Sequence, residues 1–139
     1  MSRIAIVYWS GTGNTEAMAS TVLQGALDTG KDAVLLTADQ FSGAQVPDYD
    51  AIAFGCPAMG QEILEEDEFE PMFSDCESRL SGKRIGLFGS CGWGDGQWMR
   101  DWETRCLSDG AVLAAESVIA HDAPGSKELA ALRALGAAL

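Results

Sequence analysis

Apolar residues fall along the chain in short runs divided by amphipathic stretches. The first run, over 3–8, is apolar throughout its centre (Ile4-Ala5-Ile6-Val7), the pattern of a parallel strand covered on both faces. A helix is expected over 14–28, with Ala17, Met18, Thr21, Val22 and Gly25 on or near one face, ended by Thr29-Gly30. A second strand follows at 33–36, then a polar loop or short helix over 38–47 that Pro47 breaks. A third strand at 51–54 stops at Gly55-Cys56-Pro57, and an acidic segment over 61–70 leads into a helix over 69–79. A fourth strand at 84–88 closes at Gly89-Ser90 and precedes a glycine-rich loop and a helix over 95–107. A fifth strand covers 111–113 and resumes near 117–119, and a last helix over 126–137 carries Leu129, Leu132 and Leu135 at helical spacing.

Strands alternate with helices throughout. Right-handed crossovers then give an α/β fold, a parallel sheet sandwiched by helices. No repeat or linker interrupts the pattern, and 139 residues suit a single domain over 1–139.

The stretch that carries chemistry is Ser10-Gly11-Thr12-Gly13-Asn14-Thr15, between the first strand and the first helix. A turn there aims backbone N–H groups at one point, where the helix dipole favours negative charge. Ser10, Thr12, Thr15 and Asn14 add side-chain donors, and Gly11 and Gly13 let the backbone approach a ligand. The expected guest is a phosphate. A nucleotide-hydrolase loop would need a Gly-Lys-Ser/Thr step, but no Lys or Arg stands between Arg3 and Lys31. A dinucleotide fingerprint would need a third glycine where Glu16 stands, and a phosphatase loop would need a Cys and an Arg. The loop therefore anchors a phosphate with neutral donors and does no chemistry on it, as suits a cofactor whose reactive part lies elsewhere.

Charge narrows the partners. A formal net charge of -12 excludes nonspecific nucleic-acid binding, argues against anionic membranes and favours basic partners. No apolar run reaches the ~18 residues of a membrane span and no signal-peptide pattern opens the chain, so the cytoplasm is the expected location. Cys56, Cys76, Cys91 and Cys106 form no Cys-x-x-Cys pair and the chain has one His, so no metal site is expected and the thiols read as free and core-packed. His121 reads as a surface loop residue.

Ser-Gly-Thr-Gly-Asn-Thr after an N-terminal strand resembles the phosphate loop of flavodoxins, small proteins that bind FMN. The resemblance is to their short-chain, clostridial-type members. It is carried further by Gly55-Cys56-Pro57-Ala58-Met59-Gly60, Glu68-Phe69-Glu70-Pro71 and Gly92-Trp93-Gly94-Asp95-Gly96, in the same order. It implies a flavodoxin-like three-layer sandwich with a five-stranded parallel sheet in order 2-1-3-4-5 and helices on both faces. The loops after strands one, three and four then meet at one sheet edge, beside the switch point between strands one and three.

The resemblance implies an FMN site made of Ser10, Gly11, Thr12, Gly13, Asn14, Thr15, Pro57, Ala58, Met59, Gly60, Gln61, Glu62, Ser90, Cys91, Gly92, Trp93 and Gly94. Met59 and Trp93 would cover the inner and outer faces of the flavin ring. The peptide after Gly60 would turn to offer a carbonyl to N5–H, and Glu62 would accept from N3–H. Trp9 is expected beneath the phosphate loop or against the ribityl chain, and Trp98 and Trp102 in the core or supporting the site. Pro57 stands where relatives commonly have a hydroxyl, and Gln61 where an Asp is usual. The implied function is a low-potential one-electron carrier, cycling between semiquinone and hydroquinone as donor to redox enzymes. It would be a monomer, would turn over no substrate of its own, and would dock partners that also use ferredoxin. The alternative is an FMN-dependent NAD(P)H:quinone or nitro reductase on the same fold. The six carboxylates of 61–70 read as a docking face that also disfavours the anionic hydroquinone.

Overall fold

The computed structural model describes residues 2–60, 62–92 and 94–139. Its strands are β1 (Arg3–Tyr8), β2 (Asp32–Thr37), β3 (Ala51–Gly55), β4 (Arg84–Cys91), β5 (Val112–Leu113) and β6 (Val118–His121). Its α-helices are α1 (Asn14–Asp28), α2 (Phe69–Glu77), α3 (Gln97–Ser108) and α4 (Ser126–Ala138). All strands are parallel and run in the order β2-β1-β3-β4-β5, the expected order, with β6 also paired to β4.

The fifth lane of the sheet is split. β5 pairs with Arg84 and Ile85 at the start of β4, and β6 pairs with 88–91 at its end. β4 accordingly runs on to Cys91, beyond the expected stop at 88. The helix expected from 95 begins at 97, because Gly94 and Gly96 hold φ of 100° and 85°, left-handed values that a helix cannot include.

Alternation along each strand fills two cores. Ile4, Ile6 and Tyr8 of β1 face α1 and α4 with Met18, Val22, Leu132 and Leu135. Ala5 and Val7 face the other way, toward α2 and α3, with Ile52, Phe54, Phe69, Phe73, Trp98 and Trp102. α1 and α4 cross closely through two glycines: a Cβ at Gly25 would lie 2.1 Å from the Arg133 carbonyl, and one at Gly136 2.1 Å from that of Val22. On the opposite face, Trp102 meets Phe69 and Phe73 edge-on at 5.5 and 5.7 Å. Among the described residues no helix is long and apolar enough to cross a membrane.

Candidate functional site

The loop after β1 is built to leave donors open. The Trp9 N–H donates to the Gly55 carbonyl at 3.0 Å and carries the β1–β3 pairing one step further. Gly13 then turns the chain at φ 96°. The Ser10 hydroxyl oxygen accepts from the Gly13 and Glu16 N–H groups at 3.1 and 3.3 Å, so its own proton is free to point outward. Among the described residues, the N–H groups of Gly11, Thr12, Asn14 and Thr15 meet no protein acceptor. Trp9 packs against Gly11, where an added Cβ would stand 3.1 Å from its indole. Thr15 and Ser90, both buried, share a hydroxyl–hydroxyl bond of 3.0 Å that ties this loop to the end of β4.

The loop after β3 stays in ladder with β4 at first. Cys56 N–H donates to the Phe88 carbonyl and Ala58 N–H to that of Ser90, at 3.1 and 2.9 Å. Trp98 reaches from α3 to donate its indole N–H to the Cys56 carbonyl at 3.3 Å. Met59 is then bonded both ways to the residues that follow: Glu62 N–H donates to the Met59 carbonyl at 2.7 Å, and Met59 N–H to that of Ile63 at 2.9 Å. Glu62 sits at φ 53°. Its side chain lies against Gly94, where an added Cβ would fall 2.0 Å from Oε1. That oxygen is buried and meets no partner among the described residues.

These loops enclose a cleft of about 260 Å³ at the carboxyl edge of the sheet, lined by Trp9, Gly11, Thr12, Asn14, Pro57, Ala58, Met59, Ser90, Cys91, Gly92 and Asp122. Nine of the residues expected from sequence are thus brought together. Ser10, Gly13 and Thr15 shape the loop behind the cleft, and Gly60, Glu62 and Gly94 stand beside it. Gln61 and Trp93 lie outside the described residues. Sequence reasoning missed Asp122. The one signal for it was positional: the residue after the fifth lane must emerge at the same sheet edge as the three motif loops.

The cysteines are free thiols. Burial pushes Cys56, Cys76 and Cys106 up to about 12, so they stay protonated and pack as small apolar groups. Burial, then Glu62 and Asp122, also raises the Cys91 thiol at the cleft wall. No cluster of His, Cys, Asp and Glu among the described residues suits a metal ion.

The acidic stretch is partly turned inward. Glu65 is 5% exposed and accepts the N–H groups of Asp67, Glu68 and Phe69, each at 2.8 Å, capping the start of α2. Burial pushes its carboxyl up, but these three bonds bring it below the ordinary value. Glu70 binds Arg105 through two hydrogen bonds of 2.7 and 2.6 Å.

Comparison with known proteins agrees with this geometry. Residues 6–135 match the sequence model of the flavodoxin family. The chain is 44% identical over 123 residues to a flavodoxin of Clostridium beijerinckii, covering 88% of this chain and 89% of that one. It is 43% identical over 129 residues to a flavodoxin of Megasphaera elsdenii, covering 91% and 94%. The solution structure of two-electron reduced Megasphaera elsdenii flavodoxin superposes with a TM-score of 0.89 at 41% identity, over 97% of this chain and 96% of that one. With its sheet order, its open phosphate-type loop and relatives matched along nearly their whole length, this chain belongs to the flavodoxin family.

Proposed function

We infer that this flavodoxin is a low-potential one-electron carrier that holds FMN noncovalently in the cleft and works in the more reduced of its two couples. Family membership itself makes the chain an FMN-binding electron carrier and not an enzyme with its own substrate. The observation that carries the site reading is a set of polar groups around one cleft that meet no partner among the described residues. They are the N–H groups of Gly11, Thr12, Asn14 and Thr15 at one end and the buried Glu62 Oε1 beside its far wall. Bound FMN supplies the reversible one-electron chemistry.

The protein's residues do the rest. The four amides donate to phosphate oxygens at the positive end of α1, and the Ser10 hydroxyl donates outward because its oxygen is already used. Thr15 and Ser90 share one bond, which leaves one proton of the pair to replace the hydroxyl that Pro57 lacks. Pro57 and Ala58 wall the cleft with Met59, which would cover one face of the ring; Trp93, the expected cover of the other, lies outside the described residues. Cys91, Gly92 and Gly94 stand where they would frame the ring's polar edge, and Glu62 Oε1 would accept from N3–H. Gly60 has open space where a Cβ would point and its φ lies outside the left-handed region. This conformation therefore does not need a glycine there, and the reading assigns the need to a second orientation of the 60–61 peptide, with Gln61 as its other half.

The same reading makes the whole of 1–139 one domain, monomeric and cytoplasmic. It docks basic surfaces on redox enzymes through the exposed Glu66, Asp67 and Glu68. The reductase alternative is not carried forward, since the relatives matched over most of their length are flavodoxins. Anaerobic dithionite titration of the FMN-reconstituted protein tests the proposal. A one-electron-reduced form should build up before full reduction, with no oxidation of NAD(P)H by the protein alone. Bleaching directly to the two-electron-reduced form, or NAD(P)H turnover, would overturn it.

A further inference from the structure

Three buried side-chain atoms meet no partner among the described residues: Glu62 Oε1, Trp102 Nε1 and Asp109 Oδ2. Glu62 and Trp102 line one small cavity of about 140 Å³ between residues 62–64 and α3, with Glu70, Asp101 and Arg105 also on its wall. This cavity shares no lining residue with the cleft read as the FMN site.

Both groups are held in place. Trp102 is 2% exposed, and its ring lies edge-on to Phe69 and Phe73 at 5.5 and 5.7 Å, so its N–H cannot swing out to solvent. Trp98, one turn earlier on α3, donates its own N–H to the Cys56 carbonyl at 3.3 Å. Trp102 has no such acceptor, although a buried indole ordinarily finds one. Glu62 is fixed by its left-handed φ of 53° and by Gly94, whose lack of a Cβ leaves room for Oε1.

The two unpaired groups are complementary. An indole N–H only donates, and a carboxylate oxygen only accepts. They are not bonded to each other. Water is the smallest molecule that can accept from one and donate to the other. It occupies about 30 Å³ and needs two to four polar partners. The cavity has that room, and Glu70 and Asp101 are on its wall to receive the second proton.

We propose that one ordered water in this cavity accepts from the Trp102 indole N–H and donates to the Glu62 carboxylate, which makes Trp102 a positioning residue for the flavin's N3–H. This rests on the FMN reading above, in which Glu62 accepts from N3–H. Trp102 itself does not touch the cofactor. A carboxylate oxygen has lone pairs for two donors, so the oxygen that receives the water's proton still accepts from N3–H. Held from the core side, the carboxylate is already aimed when the flavin arrives, and binding does not have to order it.

The test is a double-mutant cycle on Trp102→Phe and Glu62→Ala, with the dissociation constant for oxidised FMN read by flavin fluorescence. Phenylalanine keeps an aromatic ring beside Phe69 and Phe73 and has no N–H. Trp102→Phe should weaken FMN binding about fivefold, the effect of one hydrogen bond. In the Glu62→Ala background the same change should cost less than about twofold, because the water has no carboxylate left to aim. Equal losses in both backgrounds would make Trp102 a plain core residue and overturn the proposal, as would no loss in either. If Trp102→Phe does not fold, the unaltered protein decides. In NMR spectra of isotope-labelled protein the Trp102 indole N–H should receive magnetisation from a bound water, and its resonance should shift in Glu62→Gln. An indole N–H without a water neighbour overturns the proposal. Failure of the unaltered protein to bind FMN would instead overturn the reading on which it rests, and the water contact is read in the apoprotein all the same.

Discussion

The loop after β1 and the loop after β3 meet at the same edge of the sheet and handle polarity in opposite ways. Residues 10–15 carry no charge, and among the described residues the amides of Gly11, Thr12, Asn14 and Thr15 meet no acceptor, so the loop's bonding capacity faces outward. Residues 61–70 carry six carboxylates, and three of them turn inward or pair within the protein. Glu65 is a buried cap on α2, Glu70 is held by Arg105, and Glu62 hides one oxygen against Gly94. Glu66, Asp67 and Glu68 remain exposed. A neutral loop is thus the stronger anion binder, and three of the six acids of the other loop are engaged inside the protein. Net charge describes what a protein repels at long range, while unpaired groups describe what it binds.

Exchanging the two kinds of damage breaks the comparison most sharply. Glu65→Ala removes the acceptor of three N–H groups at a buried helix start and should cost the apoprotein about 3 kcal/mol. It should alter FMN affinity little once the protein is folded. Ser10→Ala should do the reverse. It frees two N–H groups in an exposed loop, costs less than about 1 kcal/mol of stability, and weakens FMN binding about 10–30-fold. Urea unfolding of the apoproteins and flavin fluorescence titration measure the two axes. A Ser10 variant that binds FMN normally, or a Glu65 variant of full stability, would remove the basis for treating the loops as different.

That contrast also marks what the sequence could reveal. The phosphate-type loop was legible because glycines, hydroxyls and the lack of any base act locally, within six residues of one strand–helix turn. The parallel sheet was legible because apolar runs and amphipathic stretches alternate with few breaks, and its strand order was what the family resemblance implied. The fate of Glu65 was not legible, since a run of acids does not say which member turns inward to meet three amides. Asp122 was hidden for a different reason. Its distance from the motifs is bridged only by the pairing of β6 with the far end of β4, a register that the broken fifth lane obscures. The Gly25–Gly136 crossing was equally silent, because a glycine in a helix looks like a weak helix former until its neighbour's carbonyl is placed against it.

Titration sharpens the same point with a smaller effect. Bonds from Arg105 hold Glu70 below the ordinary carboxylate range; Glu77, pushed up by burial, is drawn below that range by the same guanidinium. Such depressed groups contribute stability above their unfolded pKa and lose it as pH falls through the folded value. Asp109 has the opposite sign. Burial and then the Glu77 carboxylate raise it from 3.8 to about 6, so its contribution is lost as pH rises through that window. Apoprotein stability should therefore peak on the mildly acidic side of neutrality. Asp109→Asn should abolish the loss between 3.8 and about 6 and add about 1 kcal/mol at neutral pH after solvent screening. Thermal unfolding across pH, giving parallel curves for the two proteins, would show that Asp109 does not hold its proton there.

The smallest expected effect falls on the acids that remain outside. Glu66→Gln and Asp67→Asn remove exposed charges that make no side-chain hydrogen bond or salt bridge among the described residues, and should change stability by less than about 0.5 kcal/mol. Their consequence belongs to encounter with a partner. Reduction of a basic redox protein such as cytochrome c by the FMN-loaded variants, followed by stopped flow at low salt, should slow about twofold per charge removed. The difference should vanish as added salt shortens the screening length to a few ångströms. Glu70→Gln should slow the same reaction less, because its carboxylate is half-buried and held against Arg105 at 2.6 Å, a guanidinium it shares with Glu77. Equal slowing by Glu66→Gln and Glu70→Gln would mean that the partner reads the number of acids and not their exposure, and the distinction between spent and projected charge would fail at the docking surface.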